Sequence, residues 1–330
     1  MKLALLACLL AAACGKADTR GPDAADDNGA IDERPPADAA VALPVDAARP
    51  DGPVPPPADG PALSPDAGLT TAPDAAAAGL TACVRADGVG GQDTYALFQQ
   101  VLGDDALDVY ADDQHKPPVR HIREDTDGEV GPHFVVMIHR DIDLDHLKND
   151  RQRVEITIHP MGTERLKGHD GSTIVYTWRF KLSPELRTSS AFSIFFQLKS
   201  EGGNASAPIV AMTAHGNNLE IHQVGNDGAS HTLAGTAFAP LRGVWLEAYA
   251  RATFSHQGAF FMTVKKPDGT VVLKADAPKA DMWRDGDFTK PKWGIYRSLG
   301  DKGALNASED SVRFASFGIT PGPTPDSDCR

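Results

Sequence analysis

Cysteine is scarce in this chain, four in 330 residues, and no apolar run approaches the ~20 residues that a membrane-crossing helix requires. The longest, Leu3 to Ala13, stops well short. Other absences exclude whole classes of function. No stripe of Lys and Arg marks a nucleic-acid face. No glycine-rich loop is placed to cradle a phosphate, and no Ser/His/Asp order suggests a serine hydrolase. Sustained helical periodicity is missing too, so the fold is not built from helices. Residues 94–102 and Ser183 to Leu186 offer at most a short helix or turn.

What the N-terminus does hold is a processing signal, residues 1–14. Lys2 supplies a positive charge, Leu3 to Leu10 are apolar, and Ala11-Ala12-Ala13 lead into Cys14-Gly15. This matches a signal peptide, and the cysteine at its end resembles a bacterial lipobox, whose cysteine becomes the lipidated N-terminus. An ordinary signal peptide is the alternative, since Ala11 stands where lipoboxes favour a larger aliphatic residue. With Gly15 rather than Asp after the cysteine, the expected destination is the outer membrane or cell surface, the lipid being the only membrane contact. Cys8 falls in the removed segment and Cys14 takes the lipid, which leaves Cys83 and Cys329. These bracket the remaining chain almost end to end, and in an oxidising compartment a disulfide is expected.

Residues 15–80 vary on Pro-Asp-Ala-Ala and Pro-Pro-Pro and contain no aromatic residue. Such a segment cannot bury enough apolar surface to offset its ordering entropy. Prolines stiffen it and like charges extend it, so it reads as a disordered spacer. It carries 12 acidic and 4 basic residues, most of the chain's net charge of −13. The charge therefore says little about the folded part, residues 81–330, which is only mildly acidic.

From about residue 94 onward, apolar and polar residues alternate. Ile174, Tyr176, Trp178, Phe180 and Leu182 interleave with Thr173, Val175, Thr177, Arg179 and Lys181. Val154, Ile156 and Ile158 interleave with Arg153, Glu155, Thr157 and His159; Phe192, Ile194, Phe196 and Leu198 with Ser193, Phe195, Gln197 and Lys199. Alternation with period two predicts strands with one buried face. Further strands are expected at 133–143, 207–213, 218–224, 244–255, 258–266, 270–275, 290–298 and 311–319, with a hairpin turn at Pro267-Asp268-Gly269. About a dozen strands with turns between them predict an all-β antiparallel sandwich, most simply a jelly roll, which brings the chain ends together.

The outward faces carry an unusual set. Arg153 and Glu155 share one strand, Gln197 and Lys199 another, Lys292 and Tyr296 a third, and His139 stands against Phe134, Val136 and Ile138. Such a face suits an anionic sugar polymer, although patterning alone favours a solvated face with an Arg153–Glu155 salt bridge. The strings DRQRVEI (150–156), YTWRFKL (176–182), FFQLK (195–199), PKWGIYRSL (291–299) and VRFASFGI (312–319) occur in this order. Together they resemble the secreted concanavalin A-like polysaccharide lyases, such as heparin lyase I and glucuronan lyase. The resemblance covers most of 94–320 and implies a concanavalin A-like jelly roll.

Lyases of this kind cleave uronic acid polymers by β-elimination. The C5 proton lies next to a carboxylate and is weakly acidic, so the carboxylate must be neutralised while a base removes the proton and an acid serves the leaving O4. The resemblance implies Gln197 on the substrate carboxylate, helped by Arg153 or Lys199, and Tyr296 as base, acid or both, with His139 as a partner base. A tyrosine gives up its proton unwillingly at neutral pH, so Lys292 or Arg297 would have to favour the phenolate. One departure stands out. Jelly-roll lyases often carry a histidine two places after the glutamine, and here Lys199 is a poor proton shuttle at neutral pH. The alternative is a non-catalytic, lectin-like carbohydrate-binding or adhesion module on the same scaffold. No cofactor is expected. Asp141, Asp143 and Asp145 could hold Ca²⁺ or form a solvated strand end, while His215 and His222 lack a third ligand for zinc. Trp283 is either a sugar platform or a loop plug.

Overall fold

Each alternating segment is a strand. The computed structural model describes residues 81–146, 148–324 and 329; the signal-peptide, lipidation and spacer readings of residues 1–80 lie outside them. In chain order the strands are β1 (Ala82–Val84), β2 (Leu107–Asp108), β3 (Ile122–Asp127), β4 (Gly131–His139), β5 (Arg151–Thr157), β6 (Thr173–Leu182), β7 (Ser193–Glu201), β8 (Val210–His215), β9 (Asn218–Val224), β10 (Ser230–Ala237), β11 (Trp245–Thr253), β12 (Gly258–Lys265), β13 (Val271–Ala280), β14 (Phe288–Ser298) and β15 (Glu309–Pro321). One helix, α1 (Thr94–Leu102), starts at Asp93, whose carboxylate accepts the backbone N–H groups of Tyr95 and Ala96.

The strands form two sheets, and every strand pair within them is antiparallel. One runs β13-β12-β11-β6-β15-β4-β3, with β1 added on β15; the other runs β10-β9-β8-β7-β14-β5-β2. This is the predicted β-sandwich of the jelly-roll type. The strands without an alternation signal are β1, β2, β3 and β10, and three of these are sheet edges. An edge strand needs no apolar face of its own and is often charged or polar, which discourages pairing with other chains. The sequences of β3 (IREDTD) and β10 (SHTLAGTA) fit that account.

Between the sheets the core is dominated by aromatic rings. Trp178 lies 4.5 Å from Phe196, Phe196 5.8 Å from Trp293, and Trp293 5.1 Å from Phe317, centroid to centroid. Each such side chain contributes on the order of 2–3 kcal/mol on leaving water. Trp283 is 8 % exposed within the same core, so it plugs a loop and is no sugar platform.

Cys83 and Cys329 form a disulfide across 246 positions, with Cα atoms 5.3 Å apart. Cys83 pairs in register with Gly318 of β15, where a Cβ would sit 2.5 Å from Thr177 Oγ1 and 3.0 Å from Cys329 Sγ. Only glycine leaves room for the bridge. Closing so long a loop removes much chain entropy from the unfolded state, about 5.5 kcal/mol in the loop-entropy view. Replacing both cysteines by serine is expected to lower unfolding free energy by roughly that amount in urea titrations, without changing the far-ultraviolet circular dichroism.

Candidate active site

The outer face of the β8-β7-β14-β5 sheet is hollowed into a groove of about 400 Å³. Arg151 and Arg153 reach it from β5, Gln197 and Lys199 from β7, Lys292 and Tyr296 from β14, and His222 from β9. On β5 strict alternation does the placing: Arg151, Arg153 and Glu155 share one face, and Gln152, Val154 and Ile156 go into the interior.

On β7 the alternation breaks. The register against β8 steps from Ile194↔Thr213 directly to Phe196↔Met212, so Phe195 is an extra residue. A bulge of this kind exchanges the two faces. Phe196 and Leu198 therefore lie in the core, as expected, but Phe192 and Ile194 line the groove as apolar walls. On β14, Gly294 has φ +147° and lies opposite Glu155. A Cβ there would meet Val154 O at 2.1 Å. That close approach explains the glycine in the Trp-Gly-Ile-Tyr segment.

Beneath the groove lies a buried charge network. Lys292 Nζ is 2.6 Å from both Asp108 Oδ2 and Glu155 Oε2, and Gln197 Nε2 donates to Glu155 Oε1 at 2.6 Å. Lys292 and Glu155 are 2 % and 1 % exposed. Burial opposes the charge on Lys292, but the two carboxylates outweigh it and hold its pKa above the usual lysine value. Glu155 thus supports the floor of the groove and is out of reach of a ligand, correcting its expected substrate contact. Arg153 reaches Asp145 at 3.1 Å and Asp108 at 3.6 Å, and its guanidinium lies 4.3 Å from the Tyr296 ring centroid.

Lys199 differs from its neighbours. Its Nζ donates to the Ala205 carbonyl. Burial, then the nearby charges of Lys292 and Arg153, push its pKa down to about 8. Burial and like charge bring this lysine closer to its neutral form than its ordinary value would, for a physical reason the sequence does not display. Arg151, by contrast, bonds Asp150 and donates to the Tyr296 hydroxyl at 3.0 Å.

Two expected site residues are elsewhere. Arg297 alternates to the core side of β14, 1 % exposed, where it bonds Asp310 and Gln152. The cation at the Tyr296 hydroxyl is Arg151, whose parity with Arg153 and Glu155 was the available sequence signal. His139 ends β4 in the opposite sheet and turns toward Asp143, 2.9 Å from Nδ1, so it is not a groove base. The three aspartates of the Ca²⁺ reading diverge: Asp141 pairs with Arg140 and Lys302, Asp145 with Arg153, and Asp143 with histidines. His115, His121, His139 and Asp143 do come together, their ligand atoms all within 4.8 Å of one another, a grouping that strand patterning gave no reason to expect.

A polysaccharide lyase family model matches residues 103–313. Among solved structures, the chain is similar to the endo-β-1,4-glucuronan lyase of the fungus Trichoderma reesei, at 13% identity over 61% of this chain and 87% of that one, TM-score 0.45. It is similar to the marine family 7 alginate lyase of Zobellia galactanivorans, at 15% identity over 62% and 82%, TM-score 0.40. A family 14 alginate lyase from Aplysia kurodai matches at 8% identity over 74% and 100%, TM-score 0.49. No curated protein sequence matches.

Removing one partner of a buried ion pair strands the other charge, which typically costs about 3–5 kcal/mol. Glu155→Ala is accordingly expected to lower stability by about 3 kcal/mol in urea unfolding, whereas Arg151→Ala, at the groove rim, should cost under about 1 kcal/mol.

Proposed function

Because the chain belongs to the polysaccharide lyase family, we propose that it cleaves an acidic, uronic acid-containing polysaccharide by β-elimination in the groove described above. The observation that carries this reading is the convergence of Arg151, Arg153, Gln197, Lys199, Lys292 and Tyr296 on one concave sheet face. Cations and an amide meet an anionic polymer there, and two groups that exchange protons stand among them.

In the proposed mechanism Gln197 and Arg153 engage the uronate carboxylate and stabilise negative charge as it builds up on removal of the C5 proton. The neutral amine of Lys199 takes that proton. The C5–H electron pair becomes the C4=C5 double bond, the C4–O4 bond breaks, and O4 receives the Tyr296 proton. Arg151, donating to the phenolic oxygen, offsets the charge left there. The products are a chain ending in an unsaturated uronate and a chain with a free hydroxyl.

We further propose that the mature chain is exported and tethered by lipid at Cys14, with residues 15–80 as spacer. The Cys83–Cys329 disulfide supports an oxidising compartment.

Incubation with a panel of uronic acid polymers is expected to release products absorbing in the ultraviolet. Binding without product would leave the lectin-like reading. Lys199→Ala and Tyr296→Phe should each lower kcat by about 10²–10⁴-fold, the usual contribution of a positioned acid or base. Since the base form of Lys199 is the neutral amine, kcat/KM should rise with pH and level off above about 8. Lys199→His should move that limb toward acid. A profile that falls through this range would assign Lys199 a charge role instead. Intact-mass analysis of the native N-terminal peptide is expected to show acylated Cys14.

A further inference from the structure

We infer that His115, His121, His139 and Asp143 form a closed, four-ligand site for a divalent transition metal of the Zn²⁺ class, separate from the groove. The residues come from one stretch of chain, positions 115–143, that the β3–β4 hairpin folds back on itself. His115 follows the short turn Asp112–Gln114, His121 immediately precedes β3, His139 ends β4, and Asp143 lies in the turn after it. Asp143 and His121 have no exposed side-chain surface. The three rings stand around the carboxylate with centroids 4.8–5.4 Å apart.

The ring nitrogens point inward. His115 Nε2 lies 2.6 Å from Asp143 Oδ1, while His121 Nε2 and His139 Nδ1 each lie 2.9 Å from Oδ2. That one oxygen also accepts the backbone N–H of His139. Hydrogen bonding alone accounts poorly for this crowding. His121 Nε2, fully buried, makes no aligned hydrogen bond in spite of its distance from Asp143.

A second feature points the same way. His121 Nδ1 lies 2.8 Å from Asp112 Oδ1, and Asp112 is itself held by the Tyr95 hydroxyl at 2.6 Å and the His121 backbone N–H at 2.9 Å. A carboxylate on the outer nitrogen fixes the tautomer and turns the Nε2 lone pair inward, as in carboxylate–histidine–zinc arrangements. Three imidazoles with one carboxylate oxygen suit Zn²⁺, which takes four N, S or O ligands tetrahedrally in structural sites. Four protein ligands leave no open position, so the ion is structural.

The turn it would pin also serves the groove. Gln114 brackets Leu144 through two hydrogen bonds, and Asp145 accepts from Arg153 Nη2 at 3.1 Å. Holding Asp143 therefore holds Asp145 against a groove arginine.

The test uses the full mature chain. Elemental analysis is expected to find one equivalent of zinc, and the chelator-stripped protein should bind one Co²⁺ with the intense visible bands of tetrahedral coordination. Added Zn²⁺ should raise the Tm of the stripped protein. His115→Ala, which removes one ring and leaves the other three ligands in place, should weaken Zn²⁺ binding at least 100-fold. Asp112→Asn, which leaves all four ligands in place, should weaken it about 10–100-fold. A folded wild-type chain that binds neither ion at micromolar concentration overturns the assignment. So does wild-type affinity in His115→Ala, or octahedral Co²⁺ spectra.

Discussion

The groove depends on a lysine held in the interior by two carboxylates. Lys292 would lose its charge or unfold the sheet around it if Asp108 and Glu155 were not each 2.6 Å away. Those partners come from β2 and β5, so the pairing β14-β5-β2 is as much an electrostatic arrangement as a ladder of backbone hydrogen bonds. Gly294 makes it possible by letting the backbone of β14 approach Val154 and Glu155 where a side chain would not fit. The same Glu155 fixes Gln197: a carboxylate only accepts, so the amide must turn its nitrogen to it.

Cations around the groove are compensated unequally. Lys292 and Arg153 have carboxylates within ion-pair distance, and Arg151 has Asp150. Lys199 bonds a carbonyl and sits among positive neighbours. Burial and like charge both favour its neutral form, so a residue ordinarily cationic at neutral pH holds its proton loosely.

The turn after β4 faces two ways. Asp143 points into the histidine cluster and Asp145, two residues on, to Arg153. The same turn therefore contacts both the histidine cluster and a groove arginine.

Period-two alternation by itself determined the sandwich, and it put Arg153, Glu155, Gln197, Lys199, Lys292, Tyr296 and His139 on outward faces, of which Glu155 lies buried beneath the groove and His139 belongs to the other sheet. It works because the side a residue faces is a property of a single strand. It failed where that property was altered or irrelevant. The extra residue at Phe195 inverted the faces of Phe192 and Ile194, Arg297 had the wrong parity to accompany Tyr296, and the polar edges β3 and β10 had no alternation to read. Tertiary structure alone decided that His139 meets His115 and His121 instead of the groove, that Arg151 attends Tyr296, and that Lys199 titrates near 8. The reason is physical: desolvation and charge are summed over neighbours that arrive from distant parts of the chain, and no local pattern contains that sum.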